Sequence, residues 1–87
     1  MNNVKSAAIR SDHNGALYTL PAPARHHHII ALMVAAGLPT PIQGKQGFLL
    51  ADGRFCGRKF AKIVAIKAGQ QLPRASGSQE LFSEDVW

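Results

Sequence analysis

The sequence predicts a two-layer α+β domain of ββαββα type: two hairpins, two helices and a docked C-terminal tail. Three observations carry this expectation. The turn dipeptides Asn14-Gly15 and Asp52-Gly53 each separate strand-like runs; two stretches show helical periodicity; and hairpin alternates with helix, which favours an antiparallel or mixed sheet covered on one face. With 87 residues there is room for one small core, so a single domain is expected over residues 1–71, followed by a linker and docked tail over 72–87.

Residues 4–10 and 16–20 read as the first two strands, joined by a loop in which Asn14 and Gly15 tolerate positive φ. Pro21 and Pro23 end the second strand, because proline has no N–H for the ladder and restricts the residue before it. Residues 24–36 are helical in pattern. At about 100° per residue, Ile29, Ile30, Met33 and Val34 fall close to His26, which puts that histidine midway across the apolar face and turns His28 away. Gly37 stops this helix, and Pro39 and Pro41 prevent its continuation. Residues 43–47 read as a glycine-flanked connector, and residues 48–51 and 54–56 as a hairpin around a two-residue Asp52-Gly53 turn. A second helix over residues 58–68 places Phe60, Ala61, Val64, Ala65 and Ala68 on one side and Arg58, Lys59 and Lys62 on the other. Residues 72–79 have the composition of a flexible linker. Leu81, Phe82, Val86 and Trp87 are too apolar for a free tail, so the terminus is expected to dock on the domain or on a second copy, which makes a homo-oligomer one of the expected partners.

Ten Lys and Arg face five Asp and Glu, a formal charge of +5. Residues 1–79 hold all ten bases and only Asp12 and Asp52, a local +8, while Glu80, Glu84 and Asp85 fall in the last eight positions. A basic body attracts phosphates, nucleic acid or acidic proteins, and the same excess serves solubility. A lone Cys56 excludes an internal disulfide and points to a reducing compartment. No apolar run approaches the roughly 20 residues of a membrane helix, and residues 1–30 lack a signal-peptide plan, so a cytoplasmic location without membrane partners is expected.

Chemistry is sparse. Arg25, His26 and His27 fall at the start of a helix, where free N–H groups and the helix dipole favour an anion; the alternative is that His26 is a hydrogen-bonded core histidine. Adjacent histidines on a helix diverge by about 100°, so they do not converge on a metal, and no cofactor or metal is expected. Gly44-Lys45-Gln46-Gly47 could cradle phosphate with loop amides beside a lysine, but lacks the eight-residue P-loop pattern. Arg54 and Arg58 could join it or be ordinary surface charges. Ser83, Glu84 and Asp85 could cap a helix, pair with the basic body or accept from a ribose or base edge.

In combination, Arg25-His26-His27-His28-Ile29-Ile30, Gln46-Gly47-Phe48-Leu49, Gly53-Arg54-Phe55, Ala68-Gly69-Gln70 and Leu81-Phe82-Ser83-Glu84-Asp85-Val86-Trp87 resemble a family of small proteins of phages and prophages, over most of residues 16–87. That pattern often has Asp at the position of Gly57 and acids near Lys59 and Phe60, so this second helix is unusually basic. The resemblance implies a phage-associated accessory protein, in a class that includes ligand-sequestering proteins acting on bacterial immunity, and hence the cytoplasm of an infected or lysogenic cell. The expected function is non-catalytic sequestration of a phosphorylated nucleotide-like ligand, with a bacterial immune signal as the class the resemblance suggests. Its expected site is Arg25, His26, His27, Lys45, Gln46, Arg54 and Arg58, closed by Ser83 and Glu84. The alternatives are a module binding nucleic acid or an acidic protein through Arg58, Lys59, Lys62 and Lys67, and a small histidine-dependent hydrolase.

Overall fold

The computed structural model describes residues 2–73, 75 and 77–87. In chain order it holds strands β1 (Val4–Ser11) and β2 (Leu17–Thr19), helix α1 (His26–Ala35), strands β3 (Gly44–Leu50) and β4 (Phe55–Gly57), helix α2 (Arg58–Lys67) and a short 3-10 turn, Ser83–Asp85. The strands form one sheet in the order β2-β1-β3-β4, with every neighbouring pair antiparallel, which is the α+β class read from the sequence.

β1 and β3 form the centre. Ala7 pairs with Phe48 and Ile9 with Gln46, and a register shift between Val4 and Ser6 brings Val4 opposite Leu50. Alternation along the strands therefore sends Val4, Ala7, Ile9, Phe48 and Leu50 to one face, where they meet Ile29 and Met33 of α1, Ala61, Val64 and Ala65 of α2, and Leu81 of the tail. Phe48, Ile9, Ile29, Met33, Leu50 and Leu81 are the largest apolar side chains to be fully enclosed. Each such burial contributes about 1.5–3 kcal/mol, so this cluster dominates the stability of a domain this small.

Both hairpins and both helix ends follow from turn chemistry, with differences from expectation. The second hairpin closes through Leu50 N–H to Arg54 O (2.8 Å) around a three-residue loop, Ala51, Asp52 and Gly53, rather than a two-residue one. Gly53 N–H donates to Leu50 O and Gly53 has φ +91°, so a tight turn is followed by a left-handed glycine, the second common hairpin solution. α1 starts at His26 rather than Ala24, because the Pro21–Ala24 turn and an extended Arg25 (φ −110°) precede it. It ends on Gly37 (φ +89°), whose N–H bonds Val34 O while Leu38 N–H reaches back to Met33 O. This is the paired closure that a left-handed residue after a helix permits.

Two expectations are corrected. Residues 44–47 are not a loop but the first half of β3, with Gly44 opposite Ser11 and Gly47 opposite Ala8 and Gly57. A Cβ on Gly44 would overlap the Arg10 carbonyl, and one on Gly47 would overlap the Cys56 carbonyl, so these glycines permit close strand approach rather than cradling phosphate. On α2, Phe60 is 51% exposed and Lys62 only 9%, the reverse of the expected sides. The two lie about 100° to either side of Ala61, and Lys62 shares a shallow groove with residues 78–79 of the tail. Of the expected linker 72–79, Arg74 and Ser76 lie outside the described residues.

The tail lies on the domain. Leu72 N–H donates to Asp85 O, Leu81 N–H to Arg58 O, and the Trp87 indole N–H to Ala24 O (3.0 Å). Asp85, 4% exposed, accepts from Phe82 N–H and so fixes the last turn.

Candidate functional site

The start of α2 and the ends of β3 and β4 meet around a depression of about 620 Å³, lined by Lys45, Gln46, Arg58, Lys59, Phe60 and Glu80, with Gly44 and Gly57 in its walls. β4 runs into α2 with no connector: Gly57 is the last strand residue and the residue before the first helical turn, which sets Arg58 beside β3. A Cβ on Gly57 would press on the Lys45 side chain, so the absence of one leaves room for that lysine. Consecutive strand residues point to opposite faces, so Lys45 and Gln46 line the depression from its two sides.

Arg58 is its best-anchored cation. Its guanidinium donates to the Gln46 side-chain carbonyl and lies 5.0 Å from the Phe82 ring centroid, while its buried Nε has no hydrogen-bond partner among the described residues. Stacked and hydrogen-bonded on one side, the planar group keeps donors fixed in direction, which is the form of arginine suited to phosphate or carboxylate. Lys59 and Glu80 have no ion pair among the described residues.

The remaining sequence-predicted residues divide by what they touch. His26 is buried, donates from Nε2 to Gly47 O at 2.8 Å and packs edge-on to Phe48 at 5.1 Å. Burial is the main reason its pKa is held below the ordinary 6.5; the Arg58 charge acts the same way, against the Gly47 hydrogen bond and the Glu84 charge. His26 is thus a core donor whose burial disfavours the charged form, and it is not part of the depression's lining. Arg25 reaches across to the Trp87 carbonyl at 2.8 Å, so the chain's own tail supplies an acceptor at the helix start where a free anion was expected. His27 is exposed and leans on His28 at 4.0 Å between ring centroids. His28, read as pointing away, caps the helix: its Nδ1 accepts the Arg25 backbone N–H at 2.9 Å. Arg54 sits on the hairpin tip and pairs with Asp52 at 2.7 Å, away from the depression's lining. Ser83 is buried in the final turn and Glu84 is exposed beside it.

Of nine expected residues, the structure therefore gathers Lys45, Gln46 and Arg58 in one depression; it adds Lys59, which the sequence reading gave only to the alternative basic face, and Phe60 and Glu80, which it left out. Lys59 and Phe60 follow Arg58 directly and were legible as its neighbours. Glu80 was not, because its place depends on the path of the tail. Burial raises the Cys56 thiol above its ordinary pKa, which leaves less thiolate for nucleophilic chemistry. Among the described residues no three of His, Cys, Asp and Glu come together as a metal would require. A smaller depression of about 310 Å³ has Met33, Leu38 and Ile42 in its walls with Asp12 and His13, and among the described residues no lysine or arginine lines it to meet a phosphate.

A model of the family described as phage T4 y16D protein matches residues 3–87. No curated protein and no solved structure matches the chain. No helix among the described residues is long and apolar enough to cross a membrane.

Proposed function

The chain belongs to the phage T4 y16D protein family and is a phage-associated accessory protein; from that premise we propose that it binds and holds a phosphorylated nucleotide-like ligand at the mouth of α2, in the cytoplasm of the infected or lysogenic cell, with bacterial immune signals as the ligand class of interest. The observation that carries this reading is the lining of one depression by three cations, Lys45, Arg58 and Lys59, together with an amide, an exposed aromatic ring and a single carboxylate. Its volume falls within the roughly 300–1,000 Å³ of small-molecule sites. The cations take the phosphate, Phe60 offers a face for stacking, and Gln46 and Glu80 offer polar groups to a ribose or base edge. Sequestration rather than turnover is supported by two buried or half-buried groups: His26 is committed to a backbone carbonyl, and burial raises the Cys56 thiol above its ordinary pKa, which leaves less thiolate.

Calorimetry with nucleoside mono- and diphosphates, and with inorganic phosphate for comparison, tests the reading. Arg58→Gln is expected to weaken binding by about tenfold or more, the scale of one charge-assisted hydrogen bond, while Arg54→Ala on the hairpin tip leaves it unchanged. Nucleotide recovered intact after long incubation and denaturation supports sequestration. No binding by any nucleotide, or full binding by Arg58→Gln, removes the site; recovered product replaces a binder with an enzyme.

A further inference from the structure

Beyond Lys59 and Phe60, which border the depression, the outward side of α2 is not used by it. Phe60, Ile63 and Ile66 recur every three residues and are 51%, 51% and 58% exposed, on a helix of only ten residues. Ile63 and Ile66 also line a shallow groove of about 430 Å³, together with Lys59 and Lys62 of the same helix and Ser78 and Gln79 of the tail. A continuous apolar stripe of this kind is what interaction surfaces expose and what solvated helices lack.

The charges around the stripe say what covers it. α2 carries no acidic residue, and Lys59 and Lys67, both exposed, stand near its two ends with no ion pair among the described residues. A second copy docked through the same face would set Lys59 and Lys67 of one chain against those of the other, with no carboxylate from either helix to offset them. Nucleic acid would meet the lysines but leave two isoleucines between them facing phosphate and sugar. We propose that this face docks an acidic amphipathic helix of a partner protein, whose apolar side chains enter the Ile63–Ile66 groove and whose flanking carboxylates reach Lys59 and Lys67. The mode is that of a helix laid in a groove, with apolar contact giving affinity and the charges giving orientation and choice of partner.

The probe is a synthetic amphipathic helix with leucines along one face and glutamates beside them, compared by fluorescence anisotropy with its lysine-flanked counterpart. The whole chain should bind the acidic peptide and not the basic one, less tightly as salt rises. Ile66→Asp, at a position open enough to leave the fold intact by circular dichroism, should weaken binding by about tenfold or more. Lys67→Glu, which leaves the apolar stripe untouched, should narrow or reverse the preference between the two peptides. Equal binding of both peptides, binding of neither, or a dimer in sedimentation that Ile66→Asp dissolves would overturn the proposal, the last by showing a second copy on the stripe.

Discussion

Gln70 shows how a single side chain can stand in for a strand. Its Oε1 accepts the Val4 N–H at 2.8 Å and its Nε2 donates to the Val4 carbonyl at 2.8 Å, so the primary amide completes the backbone of β1 beyond the Ala8–Arg10 stretch that β2 pairs. Gln70→Leu keeps the bulk and strands both Val4 groups. Unpaired polar groups cost about 1–3 kcal/mol each, and partial access to water here sets the lower part of that range, so urea unfolding should show a loss of about 1–3 kcal/mol. The Ala68-Gly69-Gln70 block stood out in the sequence, but a glutamine that replaces a strand looks like any other glutamine until its partner 66 residues away is placed. His26 makes a different prediction. Its folded pKa lies below the 6.5 of a free histidine, so as pH falls the unfolded chain takes up the proton first. Its contribution is fully present above 6.5 and is lost as pH falls from there towards the lower folded value. Denaturation at pH 8 and pH 5.5 should show a larger acid loss for the wild type than for His26→Gln, which keeps a donor for Gly47 but has no proton to gain. Equal losses would mean that His26 is not the group responsible.

The elements were legible where local chemistry decides them and illegible where the partner strand does. Asn14-Gly15, Asp52-Gly53 and the Gly37 and Gly69 stops all act within a few residues, and all mark real ends: each of the four glycines has positive φ. The glycines of residues 44–47, by contrast, resemble a loop because strand interiors seldom carry them, and only the nearness of Arg10 and Cys56 explains them. The tail is the element whose role most exceeds its sequence signal. Trp87 packs its ring against Phe48 at 6.2 Å, donates to Ala24 and accepts from Arg25, so the start of α1 and the end of the chain form one unit. Trp87→Ala removes the ring contact and leaves the Ala24 carbonyl without its donor. A loss of about 2–4 kcal/mol is expected, at or below the usual cost of truncating a large aromatic because Trp87 is only partly enclosed. The same variant should speed amide exchange in the first turn of α1 more than in β1, whereas a uniform change would mean that the tail stabilises the domain as a whole rather than this helix end.

At the scale of the molecule, the count of bases misleads and their placement informs. The chain's formal +5 suggested a polyanion binder, and strand pairing, by setting Lys45 beside the first turn of α2, separates Lys45, Gln46 and Arg58 from the other six residues expected at the site. The sequence could not show which cations are already engaged: Arg25 holds Trp87, Arg54 holds Asp52, Arg58 is fixed by Gln46 and Phe82, and Lys62 is buried. Of the four bases named for a nucleic-acid face, Arg58, Lys59, Lys62 and Lys67, this leaves Lys59 and Lys67 exposed on α2, with isoleucines between them. A duplex bound through that helix would therefore neutralise about two phosphates. Counterion release gives a slope of about −0.9 in log affinity against log salt for each phosphate, so a slope near −2 and weak, non-specific affinity are expected in titrations of random duplex DNA. Nucleotide binding in the depression draws on Lys45 and on a guanidinium fixed in direction, so it should survive at salt that abolishes the duplex complex. A slope of about −5 or steeper, with tight binding at physiological salt, would require a continuous basic surface and would transfer the function from a small phosphorylated ligand to nucleic acid.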